Sequence, residues 1–187
     1  MNKVISLSLT AWALFMLLGA RPAQAQPAYY VERSFGTVGT NVGQLSSSSF
    51  RLAQGGSNLI FCADGTNIKV FTTSGQYVRQ WSIPHNQSTI AVSSNEVFCL
   101  SGYVICYDLT GGVLRTISTG AGVDIRYDES ADELYILRTT SVAVYGRTGT
   151  LLRQWGAAGG GPGQLWLAGG LGILRDSIAV ADDTGIQ

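Results

Sequence analysis

Beyond residue 25 the apolar positions of the chain fall in short bursts: Leu59-Ile60-Phe61-Cys62-Ala63, Val97-Phe98-Cys99-Leu100, Leu134-Tyr135-Ile136-Leu137 and Ile178-Ala179-Val180-Ala181. Each is rich in β-branched or aromatic residues or alanine and lies close to Gly, Asn, Asp or Ser, the signature of a strand between turns. None alternates apolar with polar. An apolar residue at every position predicts a strand covered on both faces. No stretch after residue 25 keeps a 3.6-residue apolar period long enough for paired helices, which excludes a helical solenoid. Around the first burst the pattern predicts strands over residues 50–54, 59–63, 67–72 and 76–82.

The bursts belong to a repeat. Ser74-Gly75-Gln76-Tyr77-Val78-Arg79-Gln80-Trp81 recurs as Gly111-Gly112-Val113-Leu114-Arg115-Thr116-Ile117 and as Thr148-Gly149-Thr150-Leu151-Leu152-Arg153-Gln154-Trp155, with the arginines 36 and 38 residues apart. Phe71, Tyr107 and Tyr145 precede these turns at the same two intervals. Phe35-Gly36 precedes Gly43-Gln44-Leu45, and Trp155-Gly156 precedes Gly163-Gln164-Leu165, with seven residues from Gly to Gly in both places. Four strands in a unit of about 40 residues is the arithmetic of a propeller blade. The prediction is an all-β chain, a partial β-propeller of four-stranded antiparallel blades. Its units span 36–82, 83–118, 119–155 and, incompletely, 156–187. Residues 28–35, which include Tyr30-Val31-Glu32-Arg33-Ser34-Phe35, carry the pattern of a fourth strand and are a candidate to close the ring.

Phe35-Gly36 with Gly43-Gln44-Leu45, then Ala63-Asp64-Gly65 with Asn67-Ile68-Lys69-Val70-Phe71, then Ser74-Gly75 and Arg79-Gln80-Trp81, together resemble an NHL repeat. Trp155-Gly156, Gly163-Gln164-Leu165 and Ile178-Ala179-Val180-Ala181-Asp182 resemble the start of another. The two middle units have Leu100-Ser101 and Leu137-Arg138 in place of Ala-Asp, and read as degenerate copies. The resemblance implies a propeller of about six blades that acts as an interaction platform for a protein or carbohydrate. A rival class, metal-dependent propeller lactonases and lyases, holds its ion in the central channel on residues from several blades. Because the repeat stops inside a unit, the favoured reading is a truncated piece of a longer propeller. The other is a small protein that self-associates through exposed blade edges.

Residues 1–25 are of another kind. Lys3 supplies a charged start, the run is most apolar from Ala11 to Leu18, and Ala23-Gln24-Ala25 is a small-x-small site. This predicts a signal peptide cleaved between Ala25 and Gln26, and a secreted or periplasmic protein. Interrupted by Ser6, Ser8 and Thr10, the run falls short of the roughly 20 apolar residues of a membrane span, so no stable membrane anchor is expected. Basic and acidic residues balance at 12 each, and cleavage leaves 10 against 12. Such a chain lacks the clustered basic face that nucleic acid requires. Only 13% of residues are charged and 24 are Gly, which suits strands buried on both faces and joined by tight turns.

Candidate chemistry is sparse. His85, the one histidine, sits in Ser82-Ile83-Pro84-His85-Asn86 with no nucleophile or carboxylate at a telling spacing. Asp128-Glu129-Ser130-Ala131-Asp132-Glu133 offers carboxylates but lacks the glycine and spacing of a calcium loop, and reads as a solvated hairpin. Cys62, Cys99 and Cys106 read as buried small hydrophobes. The alternative is a disulfide between Cys99 and Cys106, which flank a hairpin at Ser101-Gly102. Gly159-Gly160-Gly161-Pro162-Gly163 has neither the Lys-Ser/Thr of a phosphate loop nor a dinucleotide fingerprint. Trp81, Trp155 and Trp166 suit packing between units better than ligand stacking, and Arg79, Arg115 and Arg153 suit equivalent structural positions. Asn86-Gln87-Ser88 is a glycosylation sequon, discounted because the signal peptide is of bacterial type. No catalytic, metal-binding or cofactor-binding residue is assigned, and no cofactor is expected.

Overall fold

The computed structural model describes residues 34–46, 51–56, 58–85, 89–174, 177–183 and 185–186. The expected signal peptide with its Ala25–Gln26 junction, residues 28–33 of the candidate closing strand, and the sequon lie outside the described residues. Ser34–Gln187 forms one unit, built of four small antiparallel sheets in a ring, a four-bladed β-propeller. Blade I holds β1 (Arg51–Gly55), β2 (Leu59–Asp64), β3 (Asn67–Thr72) and β4 (Tyr77–Ser82). Blade II holds β5 (Thr89–Val92), β6 (Glu96–Leu100), β7 (Val104–Asp108) and β8 (Val113–Ile117). Blade III holds β9 (Asp124–Asp128), β10 (Glu133–Leu137), β11 (Val142–Gly146) and β12 (Leu151–Trp155). Blade IV has three described strands, β13 (Gly170–Ile173), β14 (Ile178–Asp182) and the two-residue β15 (Gly185–Ile186).

The core lies between blades. Side chains of one strand alternate between its two faces, and each face meets a different neighbour. On β6, Val97 and Cys99 join a cluster with Phe61, Ile68 and Val70 of blade I. Phe98 and Leu100 join one with Ile125, Leu134 and Ile136 of blade III. Tyr135, Leu137, Val142 and Val144 complete a third with Leu165, Leu171 and Val180. A strand covered on both sides has no polar face to show, which accounts for the unbroken apolar bursts.

Geometry also settles the cysteines. Cys106 pairs in register with Phe98, and Cys99 with Ile105. The two side chains therefore point to opposite faces of the sheet and lie in different clusters. The Cys99–Cys106 disulfide is not formed, and Cys62, Cys99 and Cys106 are all buried and outside any disulfide.

The repeated Gly turn is a hairpin with a bulge at the same place in three blades, after Val70, Cys106 and Val144. Gly75, Gly111 and Gly149 hold φ of 88°, 100° and 103°, the left-handed position that a three-residue hairpin loop requires. Each bare Cα also faces a side chain from the end of an outermost-strand phrase. A Cβ would lie 2.5 Å from Phe35 at Gly75, 2.6 Å from Trp81 at Gly111 and 2.9 Å from Ile117 at Gly149. Phe35 thus stands against blade I as Trp81 stands against blade II. The ring contacts agree: Phe35 lies 5.7 Å from Phe71, and Trp81 lies 6.1 Å from Tyr107.

Candidate functional site

The first strand of each blade is innermost, and the starts of all four surround one cavity. Arg51, Leu52, Thr89, Ile90, Asp124 and Arg126 line about 270 Å³ together with Val123 and Gly169-Gly170. Strand register makes four of these equivalent. Arg51, Thr89, Asp124 and Gly170 lie opposite Ala63, Leu100, Leu137 and Ala181, the matching positions of the second strands. A guanidinium, a hydroxyl, a carboxylate and a bare Cα therefore ring the mouth on an otherwise repeated scaffold. Two residues further along the strands come Ala53, Ala91, Arg126 and Gly172. Three are small, and the fourth turns its guanidinium back to Asp124.

Asp124 is buried and accepts from four donors. Its Oδ1 accepts from Thr89 Oγ1 at 3.1 Å, Ile125 N at 2.9 Å and Arg126 Nη1 at 2.7 Å. Its Oδ2 accepts from Leu171 N at 3.0 Å. Arg126 balances its charge. Arg51 is exposed, and its guanidinium makes no hydrogen bond or ion pair to another described residue.

Loops at the same end frame this mouth, and two are copies of each other. Leu45 N donates to Thr37 O and Leu165 N to Ala157 O, at 2.9 and 2.8 Å. Gln44 Oε1 accepts from Asn41 N at 3.1 Å, and Gln164 Oε1 from Gly161 N at 3.0 Å. Asp64 Oδ2 then accepts from Ser46 N at 2.9 Å, and Asp182 Oδ2 from Trp166 N at 3.1 Å. The Gly-Gln-Leu phrase and the Ala-Asp phrase are thus two halves of one joint, which is why the middle units lack both. Lys69 ties the first copy down: its Nζ lies 2.7 Å from Asp64 and donates to Gln44 O. Burial works against the Asp64 carboxylate, yet hydrogen bonds from Lys69 and Ser46 hold its pKa below the ordinary value. The second copy ends in exposed Trp166 and Leu167. Leu167 sits at φ 52° between Asp183 N donating to Trp166 O and Ala168 N donating to Thr139 O.

The other singled-out residues have structural partners. His85 Nε2 lies 3.0 Å from Tyr103 Oη, joining a blade connector to the β6–β7 hairpin. The acidic run caps its own β9–β10 turn. Asp128 accepts from Ser130 and Ala131 N, Glu129 from Ser94, and Asp132 from Tyr127 Oη. Trp81 packs between blades as expected, whereas Trp155 and Trp166 are exposed. Arg115 grips Glu96 at 3.1 and 2.7 Å, and Arg153 grips Glu133 at 2.7 and 2.6 Å, both through two parallel bonds. Arg147 reaches Glu96 too, at 2.8 Å. Burial raises the Glu96 carboxyl, but these two guanidiniums outweigh it and lower the pKa. At the places matching Glu96 and Arg147 one blade earlier stand Leu59 of blade I and Leu109 of blade II, packed on one apolar cluster. Arg79 therefore has no carboxylate partner among the described residues, and its Nε is buried without a hydrogen bond to any of them.

Arg51, Asp124 and Arg126 were missed as site residues. Their signal lay in aligning the first strands of the units, where these three charges fall at two matched positions that otherwise hold Thr, Ala and Gly.

The class defined here is the four-bladed β-propeller with a polar axial mouth. No protein-family profile and no curated protein matches the chain. Among solved structures it is similar to the computationally designed Ika4 protein, at TM-score 0.57 and 18% identity over 80% of this chain and 97% of that one. It is similar also to the glutaminyl cyclase of Myxococcus xanthus, at 0.55 and 16% over 70% of this chain and 59% of that one. A protein of unknown function from Bacteroides caccae follows, at 0.51 and 13% over 73% of this chain and 55% of that one. The chain thus spans little more than half of the last two, and these likenesses show the fold alone.

Proposed function

We propose that this chain is an exported, non-catalytic propeller module that binds its ligand at the axial mouth. The observation that carries the reading is the ring of Arg51, Thr89, Asp124 and Gly170. Where strands, turns and bulges repeat from blade to blade, these four positions do not, and they open on a cavity. Binding sites of propellers and other folds alike lie where a rigid scaffold presents variable groups in a concavity. The resemblance of the outer units to NHL repeats supports an interaction platform, and the ligand class is a small group borne on a protein or carbohydrate.

Gly169 offers a clean test. It lines the cavity, a Cβ there meets nothing within 4 Å, and its φ lies outside the left-handed range. Gly169→Trp should fill the mouth without unfolding the ring. In a thermal-shift screen of small sugars, amino acids and acids, ligands that raise the Tm of the native protein should lose that effect in the variant. Retention of every shift by the filled variant would refute the reading.

A catalytic reading has one observation in its favour, the likeness to a glutaminyl cyclase. Asp124 is the carboxylate at the mouth, but four donors hold it, which leaves it poorly placed as a base. The expected result is no glutaminyl cyclisation above a protein-free control.

A further inference from the structure

We infer that the axial mouth recognises a small organic monocarboxylate, bound through Arg51. The inference rests on the axial-mouth reading and adds the class of ligand. Two guanidiniums and one carboxylate meet at the mouth. Arg126 and Asp124 are in contact at 2.7 Å, so their charges largely cancel, and Asp124 already accepts from four donors. Arg51 remains, uncompensated by any described residue, and gives the mouth its net field. A guanidinium is planar and always charged, and it meets a carboxylate through two parallel bonds.

Three features select within the anions. Leu52, Ile90 and Val123 supply apolar wall beside the cation, which suits a ligand with a hydrocarbon body. A phosphate dianion ordinarily takes several N–H donors. At the mouth only Arg51 is a guanidinium without a carboxylate partner among the described residues, and the backbone amides of Ile125 and Leu171 are already given to Asp124. Space sets the last limit: about 270 Å³ equals the share of about nine waters, enough for a short-chain acid and too small for an oligomer. Thr89 Oγ1 gives its hydrogen to Asp124 and so presents lone pairs toward the cavity, an acceptor for a hydroxyl or amide N–H on the same ligand.

The test is calorimetric titration of the full mature chain with butyrate, with butyramide as the uncharged isostere and with inorganic phosphate. Butyrate should bind at least tenfold more tightly than either, and its affinity should fall as salt rises, since Arg51 is exposed. Arg51→Met should weaken butyrate at least tenfold and leave butyramide unchanged, while Arg51→Lys restores part of the affinity. The Arg51 guanidinium has no partner among the described residues, so both variants should keep the native melting temperature. Equal binding of butyrate and butyramide, no binding of butyrate, or indifference to Arg51→Met would overturn the inference. Gly169→Trp separates the two levels. If some neutral ligand is lost in that variant while carboxylates never bind, the mouth is a site and the ligand class is wrong. If butyrate binds the filled variant as well as the native protein, the axial mouth itself is wrong.

Discussion

Single side chains divide sharply into those held by partners and those left without. Burial first, and then the neighbouring Asp64, push the Cys62 thiol up to about 12; burial likewise takes Cys106 up to about 11. A thiol that is neither ionised nor accessible is unreactive. Maleimide should therefore add nothing to the native protein and label three cysteines after denaturation. Native-state labelling of Cys62 in the mass spectrum would contradict the packing. The repeated arginines make a second case. Arg115→Met strips half the partners from buried Glu96 and should cost about 2 kcal/mol in a denaturant melt. Arg79→Met, which removes a donor already without a partner, should change stability by about 0.5 kcal/mol or less. Equal losses would show that Arg79 has a partner after all. The periodicity of these arginines was legible in the chain, but their partners were not. Glu96 and Glu133 precede them by about 20 residues and have no counterpart in blade I, so spacing alone could not pair them.

At the level of elements, strand positions were legible nearly to the residue. Expected strands at 59–63, 67–72 and 76–82 correspond to β2, β3 and β4. Apolar bursts and turn residues act locally, so they can be read locally. The Phe/Trp-Gly to Gly-Gln-Leu loops were visible as a repeated phrase, but their function as a joint was not, because the second half lies some 18 residues on in Asp64 and Asp182. The joint depends on a close approach. At Gly159, with φ 148°, a Cβ would lie 2.2 Å from Gln164 Oε1. Gly159→Ala should cost about 1–2 kcal/mol. Adding Gln164→Ala removes the clash but keeps the unfavourable φ, so chemical denaturation should show only partial recovery. Full recovery would mean that the backbone itself is unstrained.

The whole ring should be sensitive to acid. Glu133, gripped by Arg153, has a lowered pKa, and so have Glu96 and Asp64 once their guanidinium and ammonium partners outweigh burial. A carboxylate with a depressed folded-state pKa contributes fully above its unfolded value, about 4.3 for Glu. That contribution is lost as pH falls through the lower folded-state value. Thermal melts should hold steady from neutral pH to about 5 and drop below about 4. Glu96→Gln should be less stable at neutral pH and show a shallower acid decline. An unchanged acid decline in that variant would remove Glu96 from the account.

Asp124 has one more consequence. It belongs to blade III, yet it accepts from Thr89 of blade II and from the Leu171 amide of blade IV. Three sheets that share no backbone ladder are pinned at one carboxylate, so their fluctuations are no longer independent. In hydrogen exchange, amides of β5, β9 and β13 should open as one cooperative unit. Asp124→Ala should split that unit, with the Leu171 amide exchanging far sooner than those of β5. Blade I, which contributes nothing to the pin, should keep its own exchange rates in both proteins.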